Sequence, residues 1–309
     1  TYPAIINLSV PLGAATTSGG GKTGAGTGLT QFRSLVTQDS ALKLFLPFDE
    51  GTGTTTYDRS SSGINGVLAG DPTWVAGKRG YALELDGTGD QINVDGFKGI
   101  MGTNAITTAL WFKSTYNNSS QQQSFASWGL NSSGNRYTLS YDGGKVRIDN
   151  AGGSVKTASP YNDGIWHHLV AVTPSSGTIT NTQFYIDGSL VTDNGGTGLA
   201  YNISETTNFS IGGDRTGGGK INFIGSIDDF RLYQAELNAS AVSALYASGN
   251  GEGYYTPTLP VITVDSFVNL SPVPVSVTFK RGGNNFPMAG FSASDLVVSG
   301  GTVSNFSGS

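Results

Sequence analysis

The chain has no cysteine, so neither a disulfide nor a thiolate metal site can form. It holds only two histidines and two methionines. Charged residues make up 13% of it and leave a net charge of −5. No cluster of Lys and Arg is interleaved with aromatics, and the acidic balance argues against a nucleic-acid partner. No apolar run is long enough for a helix to span a bilayer, so no membrane span is expected. The chain opens at Thr1 with neither methionine nor a signal peptide, and reads as a mature or excised piece of something longer.

What is present is glycine, 46 of 309 residues, with Thr, Ser and Asn between short apolar runs. That is the pattern of many short strands joined by turns, hence an all-β chain. Tyr2, Ala4, Ile6, Leu8 and Val10 alternate as in a strand. Gly13 to Gly28 is a flexible linker or glycine-rich loop, and Gln31 to Gln38 could add one short strand. From Ala41 the alternation sharpens through Leu42, Leu44, Leu46 and Phe48. Leu83 and Leu85 lead into the turn Asp86-Gly87-Thr88-Gly89-Asp90, with Ile92 and Val94 beyond it. Strands are expected over Ile106 to Lys113, Trp166 to Val172 and Phe209 to Ile211, with a hairpin around Asp142-Gly143-Gly144 and a tight turn at Asp187-Gly188. In Gly225 to Tyr233, alternation puts Asp228, Phe230 and Leu232 on one face of a half-buried strand. Asn238 is placed to cap a short helix carrying Val242, Leu245 and Tyr246. Regular spacing of about a dozen such strands predicts a two-sheet sandwich. Residues 250–260 read as a linker, and further strands are expected at Val261 to Val264, Val273 to Phe279 and Leu296 to Val298.

An ordered set of motifs carries a family resemblance over about residues 41–247. It includes Phe48-Asp49-Glu50-Gly51, Tyr57-Asp58-Arg59-Ser60-Ser61, Asp86-Gly87-Thr88-Gly89-Asp90, Trp166-His167-His168, Tyr185-Ile186-Asp187-Gly188 and Gly225 to Tyr233. The region resembles the concanavalin A-like laminin-G family in its bacterial jelly-roll form. The resemblance implies an antiparallel jelly-roll sandwich, extracellular and without catalysis, used in adhesion or in sugar or protein binding. The ends resemble halves of a bacterial immunoglobulin-like domain: residues 1–32, with Leu8 to Ala15, its back, and residues 258–309, with Val275 to Phe279 and Gly290 to Leu296, its front. The expected organisation is 1–38 as the C-terminal part of an Ig-like domain plus linker, 39–249 as the jelly roll, 250–260 as linker, and 261–309 as the N-terminal part of an Ig-like domain. Either the chain is a window on a long repetitive protein, or neighbouring copies complete each other's sandwich head to tail. A head-to-tail joint of that kind does not close and makes a filament.

Glu50, Asp58 and Asp228 are the candidate metal site, with Asp49 and Asp229 behind. In this fold the strand ending at Glu50 and the strand beginning near Asp228 are expected to be antiparallel neighbours, and laminin-G relatives often hold calcium. The competing reading has these carboxylates accept backbone N–H groups and pin loops without an ion, or pair with Arg59 or Arg231. Asp86 and Asp90 read as turn caps. His167 and His168, adjacent on a strand, point to opposite faces and cannot chelate one ion together. Thr16 to Thr23 resembles a phosphate loop but lacks its first glycine and a following helix. Trp74, Trp111, Trp128 and Tyr137 could stack a sugar or could be sandwich core. No catalytic residue is assigned. The expected function is a non-enzymatic structural or adhesive module at a bacterial cell surface, a filament subunit or adhesin repeat, possessing a glycan or protein ligand. The alternative is a carbohydrate-binding module of a secreted polysaccharide-degrading protein.

Overall fold

The structure, a computed structural model, describes residues 5–9, 40–175, 177–204, 207–249, 276–281 and 284–285. The chain divides into two units, Asp39–Glu252 and the two ends Thr1–Gln38 with Gly253–Ser309. The larger unit is built of two sheets. A ten-stranded sheet runs in the order Asp193–Thr197, Ser154–Thr157, Lys145–Asp149, Arg136–Asp142, Gln123–Gly129, Phe209–Ile211, Gln91–Val94, Gly66–Ala69, Thr55–Thr56. Its remaining short strand, Ile221–Asn222, pairs parallel with Gln123–Gly129. An eight-stranded antiparallel sheet runs Ser189–Val191, Gln183–Ile186, His167–Thr173, Ile106–Lys113, Ile224–Tyr233, Tyr81–Asp86, Thr73–Ala76. Leu42–Leu46 joins it beside Ile224–Tyr233.

Strand alternation becomes two transverse rows once the register is set. One row, Val155, Ile148, Leu139, Ala126, Ile211, Ile92 and Leu68, crosses the ten-stranded sheet through directly opposed residues and packs into the core. The adjacent row, Thr197, Ser154, Asp149, Thr138, Ser127, Ser210 and Asn93, is polar throughout. Successive strand residues point to opposite faces, so the second row is on the outer side. Between the sheets, Trp128 stacks on Tyr137 with ring centroids 4.6 Å apart, and both are fully buried. Removal of either ring would leave a large void, at a cost of about 3–5 kcal/mol.

The turns follow the residues that permit them. Gly143 and Gly144, both at positive φ, close the hairpin that pairs Thr138–Asp142 with Lys145–Asp149. Asp187 (φ 51°) and Gly188 (φ 77°) close the next tight hairpin. The Asp86–Asp90 turn does something else. It carries the chain from Tyr81–Asp86 in one sheet to Gln91–Val94 in the other. Asn238 accepts the Ala241 N–H at 2.9 Å and caps the helix Ala239–Tyr246. That helix buries Val242 and Leu245 against Ala109, Val170, Val172, Tyr185 and Tyr233 on the outer side of the eight-stranded sheet.

The strand Ile224–Tyr233 corrects strict alternation. Ile227, Phe230 and Leu232 all belong to the core, so Asp228 does not share a face with Phe230 and Leu232. The pairing with Ile106–Lys113 shifts register between Asp228 and Arg231, and Asp229 has φ 54°. This is a β-bulge. It falls where the partner strand changes: residues 224–227 pair with Tyr81–Asp86, and residues 230–233 with Leu42–Leu46.

In the smaller unit Ile5–Ser9 pairs antiparallel with Ser276–Arg281, from Ile5↔Lys280 to Ser9↔Ser276. Arg281 in turn opposes Asn284. Head and tail are thus partners, within one chain. The linker at 250–260, the glycine-rich run Gly13 to Gly28, the Thr16 to Thr23 stretch, and the strands expected at Gln31 to Gln38, Val261 to Val264 and Leu296 to Val298 lie outside the described residues.

Candidate functional site

The outer face of the ten-stranded sheet carries a surface cavity of about 610 Å³ lined by Gln122, Asp142, Arg147, Ser154, Lys156 and Asn194 to Thr197. Register puts Arg147 directly opposite Lys156 on one side and Ser140 on the other. Alternation builds it: Arg136, Thr138, Ser140 and Asp142 point outward between core-facing Tyr137, Leu139 and Tyr141. One wall is the edge strand Asp193–Thr197, paired on a single side among the described residues and exposed along all five residues. Arg136 and Arg147 both ion-pair with Asp149, the latter at 2.9 Å, and Lys220 lies 3.7 Å from it. Gln122 Oε1 accepts from Arg147 and Lys220, and Lys156 Nζ meets Asp142 Oδ2 at 3.0 Å. Burial alone would raise Asp149, but the Ala151 N–H, Arg136 and Lys220 outweigh it and hold the carboxyl below its ordinary range. Burial, joined by repulsion from Arg147 and Arg136, pushes the Lys220 amine down despite Asp149.

Glu50, Asp58 and Asp228 are not a shared centre. The strand pairing expected of them is present, Leu42–Leu46 antiparallel to Phe230–Tyr233. Their carboxylates nonetheless serve separate loops. Asp58 Oδ1 accepts from Phe45 N–H (2.9 Å) and Ser60 N–H (2.8 Å), and Oδ2 from the Ser60 and Ser62 hydroxyls (2.8 Å each) and Ile64 N–H (3.1 Å). Glu50 Oε1 accepts the Tyr57 N–H at 2.9 Å and lies 3.9 Å from Arg59. Asp228 Oδ2 accepts the Arg79 N–H at 3.2 Å, close enough to Gly77 that a Cβ there would come within 2.7 Å. Both Asp58 oxygens are thus taken up by donors, while Glu50 Oε2 is buried without a hydrogen-bond partner. Asp71, Asp86 and Asp90 do gather, with one oxygen from each within 4.8 Å of the others. Both Asp90 oxygens accept backbone N–H groups there, from Asp71 (2.8 Å) and Asp86 (3.0 Å), and Asp86 accepts from Thr88 (2.7 Å).

A sequence profile described as the concanavalin A-like lectin/glucanases superfamily, a laminin-G family, matches residues 86–243, just over half of the chain. The chain belongs to this family. No curated protein matches this laminin-G chain. Among solved structures it is similar to the binding domain of a Paraclostridial mosquitocidal protein, at 15% identity and a TM-score of 0.51, covering 68% of this chain and 52% of that one. It is similar to the receptor-binding domain of botulinum neurotoxin type G at 16% identity and a TM-score of 0.49, covering 67% and 51%. It is also similar to domain 4 of AbnA, an extracellular arabinanase of Geobacillus stearothermophilus solved with arabinotriose, at 18% identity and a TM-score of 0.49, covering 68% and 98%. The laminin-G chain thus spans about half the length of the two toxin structures, and at these identities the likeness is one of fold.

Other residues of this laminin-G domain are structural. Trp111, Trp128 and Tyr137 are buried, and Trp74 packs half-buried against the core with its Nε1 donating to Gly53 O at 3.0 Å. The two histidines do face opposite ways, His167 beside Phe112 and Tyr161, His168 between Trp111 and Tyr246. Burial, with Arg231 nearby, drives the pKa of His168 down to about 3, so it stays neutral. His167 meets Asp187 Oδ2 at 2.8 Å and Asp163 Oδ1 at 3.2 Å, and the Asp187 hydrogen bond raises its pKa against the effect of burial. A raised histidine stabilises the fold fully below about pH 6.5 and loses that contribution as pH climbs through its folded value. Asp187, lowered because His167 and the His168 N–H outweigh burial, acts in the other direction below its ordinary range. The cluster therefore stabilises most between about pH 4 and 6.5. His167→Gln is expected to cost about 1 kcal/mol at pH 5.5 and less at pH 9, the exposed Asp163 contributing little. Urea unfolding at the two pH values checks it, and an equal loss at both would refute it.

Proposed function

We propose that the laminin-G unit is a non-enzymatic extracellular binding module that takes a saccharide in the cavity on the outer face of its ten-stranded sheet. One observation carries this reading. The outer side of the eight-stranded sheet is taken up by the helix and its apolar cluster, while the ten-stranded sheet presents rows of hydroxyl, amide and charged groups beside an open edge. Planar amides, hydroxyls and guanidinium groups at fixed spacing are what a polyhydroxylated ligand needs. The family description includes glucanases as well as lectins. A glycanase requires two carboxyls, one kept protonated to act as an acid. Here Asp149 is clamped by cations below its ordinary range, and Asp142 is paired with Lys156. That combination favours binding without hydrolysis.

The test is calorimetric titration of a panel of soluble oligosaccharides into the protein. Ser154 is a half-buried lining residue of the cavity, and Ser154→Trp places a bulky ring in it. Binding is expected in the wild type, a loss of about tenfold or more in the variant at unchanged Tm, and no new reducing ends on long incubation. Binding indifferent to the substitution, or release of sugar, would overturn the reading.

A second reading, head-to-tail joining of copies, requires the edges that pair within one chain, Ile5–Ser9 and Ser276–Arg281, to open and exchange. The same two edges exchanged between chains make a heterologous contact that does not close. Concentration-dependent growth in light scattering, abolished by deletion of residues 1–10, supports that joining; a single mass at all concentrations counts against it.

A further inference from the structure

We infer that the saccharide is acidic, its carboxylate or sulfate bound by Arg147 and Lys156; this rests on the proposed use of the cavity and adds the ligand's chemical class. Arg147 and Lys156 are directly opposed on adjacent strands and share one face. Like charges in that relation destabilise a sheet. Two further cations, Arg136 and Lys220, converge with Arg147 on the single carboxylate Asp149. The acids in reach are Asp142, Asp149, Asp193 on the edge strand, whose Oδ1 accepts the Gly195 N–H, and Asp214, occupied by the Thr216 and Lys220 N–H groups. Of the charged side chains that line the cavity itself, two are cations, Arg147 and Lys156, and one is an acid, Asp142, inside a chain whose net charge is −5.

Arg147 and Lys156 line the cavity, where a ligand can use them, while Arg136 and Lys220 stand behind them. The Arg136 side chain is almost fully buried, and its Nε has no protein partner. Thr138 Oγ1 and Ser124 Oγ, buried on the same outer face, also have none. Lys156 is the most accessible, 38% of its side chain exposed at the cavity. An anionic group between Arg147 and Lys156 would relieve their mutual repulsion and accept charge-assisted hydrogen bonds from a guanidinium fork. The edge strand Asp193–Thr197 is left for the neutral remainder of the sugar. A Cβ at Gly195 would meet nothing, so the backbone there is open to approach. A conflict of like charges retained on an otherwise consistent sheet is the kind of local cost found at binding sites.

The experiment compares, by calorimetry at low and moderate salt, trigalacturonate, a sulfated galactose disaccharide and neutral galactotriose, with Lys156→Gln and Arg147→Met beside the wild type. One or both acidic ligands are expected to bind about tenfold or more tightly than the neutral one, to weaken with salt, and to lose about tenfold in each variant. Which of the two binds identifies the anionic group. Lys156→Gln alters an accessible side chain and guards against loss of folding in Arg147→Met; Tm is measured for both. If galactotriose binds as well as the acidic ligands and Lys156→Gln changes nothing, the acidic assignment falls while the saccharide-binding reading stands. If acidic ligands bind but neither variant weakens them, the site is elsewhere and the inference fails. If none of the three binds, and a broader neutral panel also fails, both readings fall together.

Discussion

Asp58→Ala is expected to lower the unfolding free energy by about 3–5 kcal/mol, with or without calcium present. The side chain is 1% exposed and its two oxygens accept five hydrogen bonds. Three of the donors are backbone N–H groups, of Phe45, Ser60 and Ile64, so one carboxylate ties the first strand of the sandwich to the loop that follows it. Truncation leaves all three amides without their acceptor in a site closed to water, and each buried orphan costs about 1–3 kcal/mol before relaxation. Asp58→Asn keeps one acceptor oxygen and is expected to lose about half as much. The measurement is denaturant unfolding of the three proteins, each with EDTA and with added calcium. A wild-type transition that falls with EDTA by as much as the alanine variant has lost, and recovers with calcium, would return Asp58 to the role of metal ligand.

Much of the fold is legible in the sequence, because it rests on signals only a few residues long. Leu42, Leu44 and Leu46, the Gly143-Gly144 turn, Asp187-Gly188 and the Asn238 cap each act locally and are found where alternation and turn chemistry put them. Alternation failed at Asp228 for a reason no single strand can reveal. The left-handed backbone at Asp229 exists because one neighbouring strand departs and another arrives at that point, and those neighbours come from residues 42–46 and 81–86. Glu50, Asp58 and Asp228 hold separate loops for a related reason. The two strands are antiparallel neighbours, but Phe48, at φ 57°, turns the chain so that Asp49 meets Tyr81 N–H and Glu50 meets Tyr57 N–H.

The cavity was missed although part of its signal was present. Arg147 between Val146 and Ile148, and Lys156 beside Val155, are cations on half-buried strands, a costly placement that is visible in the sequence. The remaining signal is tertiary. Thr197, Ser154, Asp149 and Thr138 become one row only through the pairing of strands, one of which, Asp193–Thr197, lies far along the chain from the others and has a sequence, Asp-Asn-Gly-Gly-Thr, that reads as loop.

Asp228→Asn is expected to stabilise the protein at neutral pH, an unusual sign for the loss of a buried carboxyl. Burial, with repulsion from Asp229 and Asp49, pushes the Asp228 carboxyl up to about 8 in the fold, against an ordinary value of 3.8. A raised carboxyl is neutral in the folded chain and ionised in the unfolded one over that interval. Its contribution is therefore harmless below about pH 4, grows more unfavourable as pH rises, and levels off above about pH 8, on the order of 5 kcal/mol in all. Asparagine does not titrate and keeps an oxygen for the Arg79 N–H. The two unfolding curves should meet near pH 4 and diverge to a few kcal/mol at pH 8, the variant being the more stable. Asp229, raised by burial despite its pairing with Arg231 at 3.3 Å, stays in the variant and leaves it a residual slope of the same sign. Urea unfolding between pH 4 and 8 decides the matter. A variant weaker than wild type at pH 8 would mean that the charged carboxylate, with a cation or a fuller set of donors around it, is the form the fold requires.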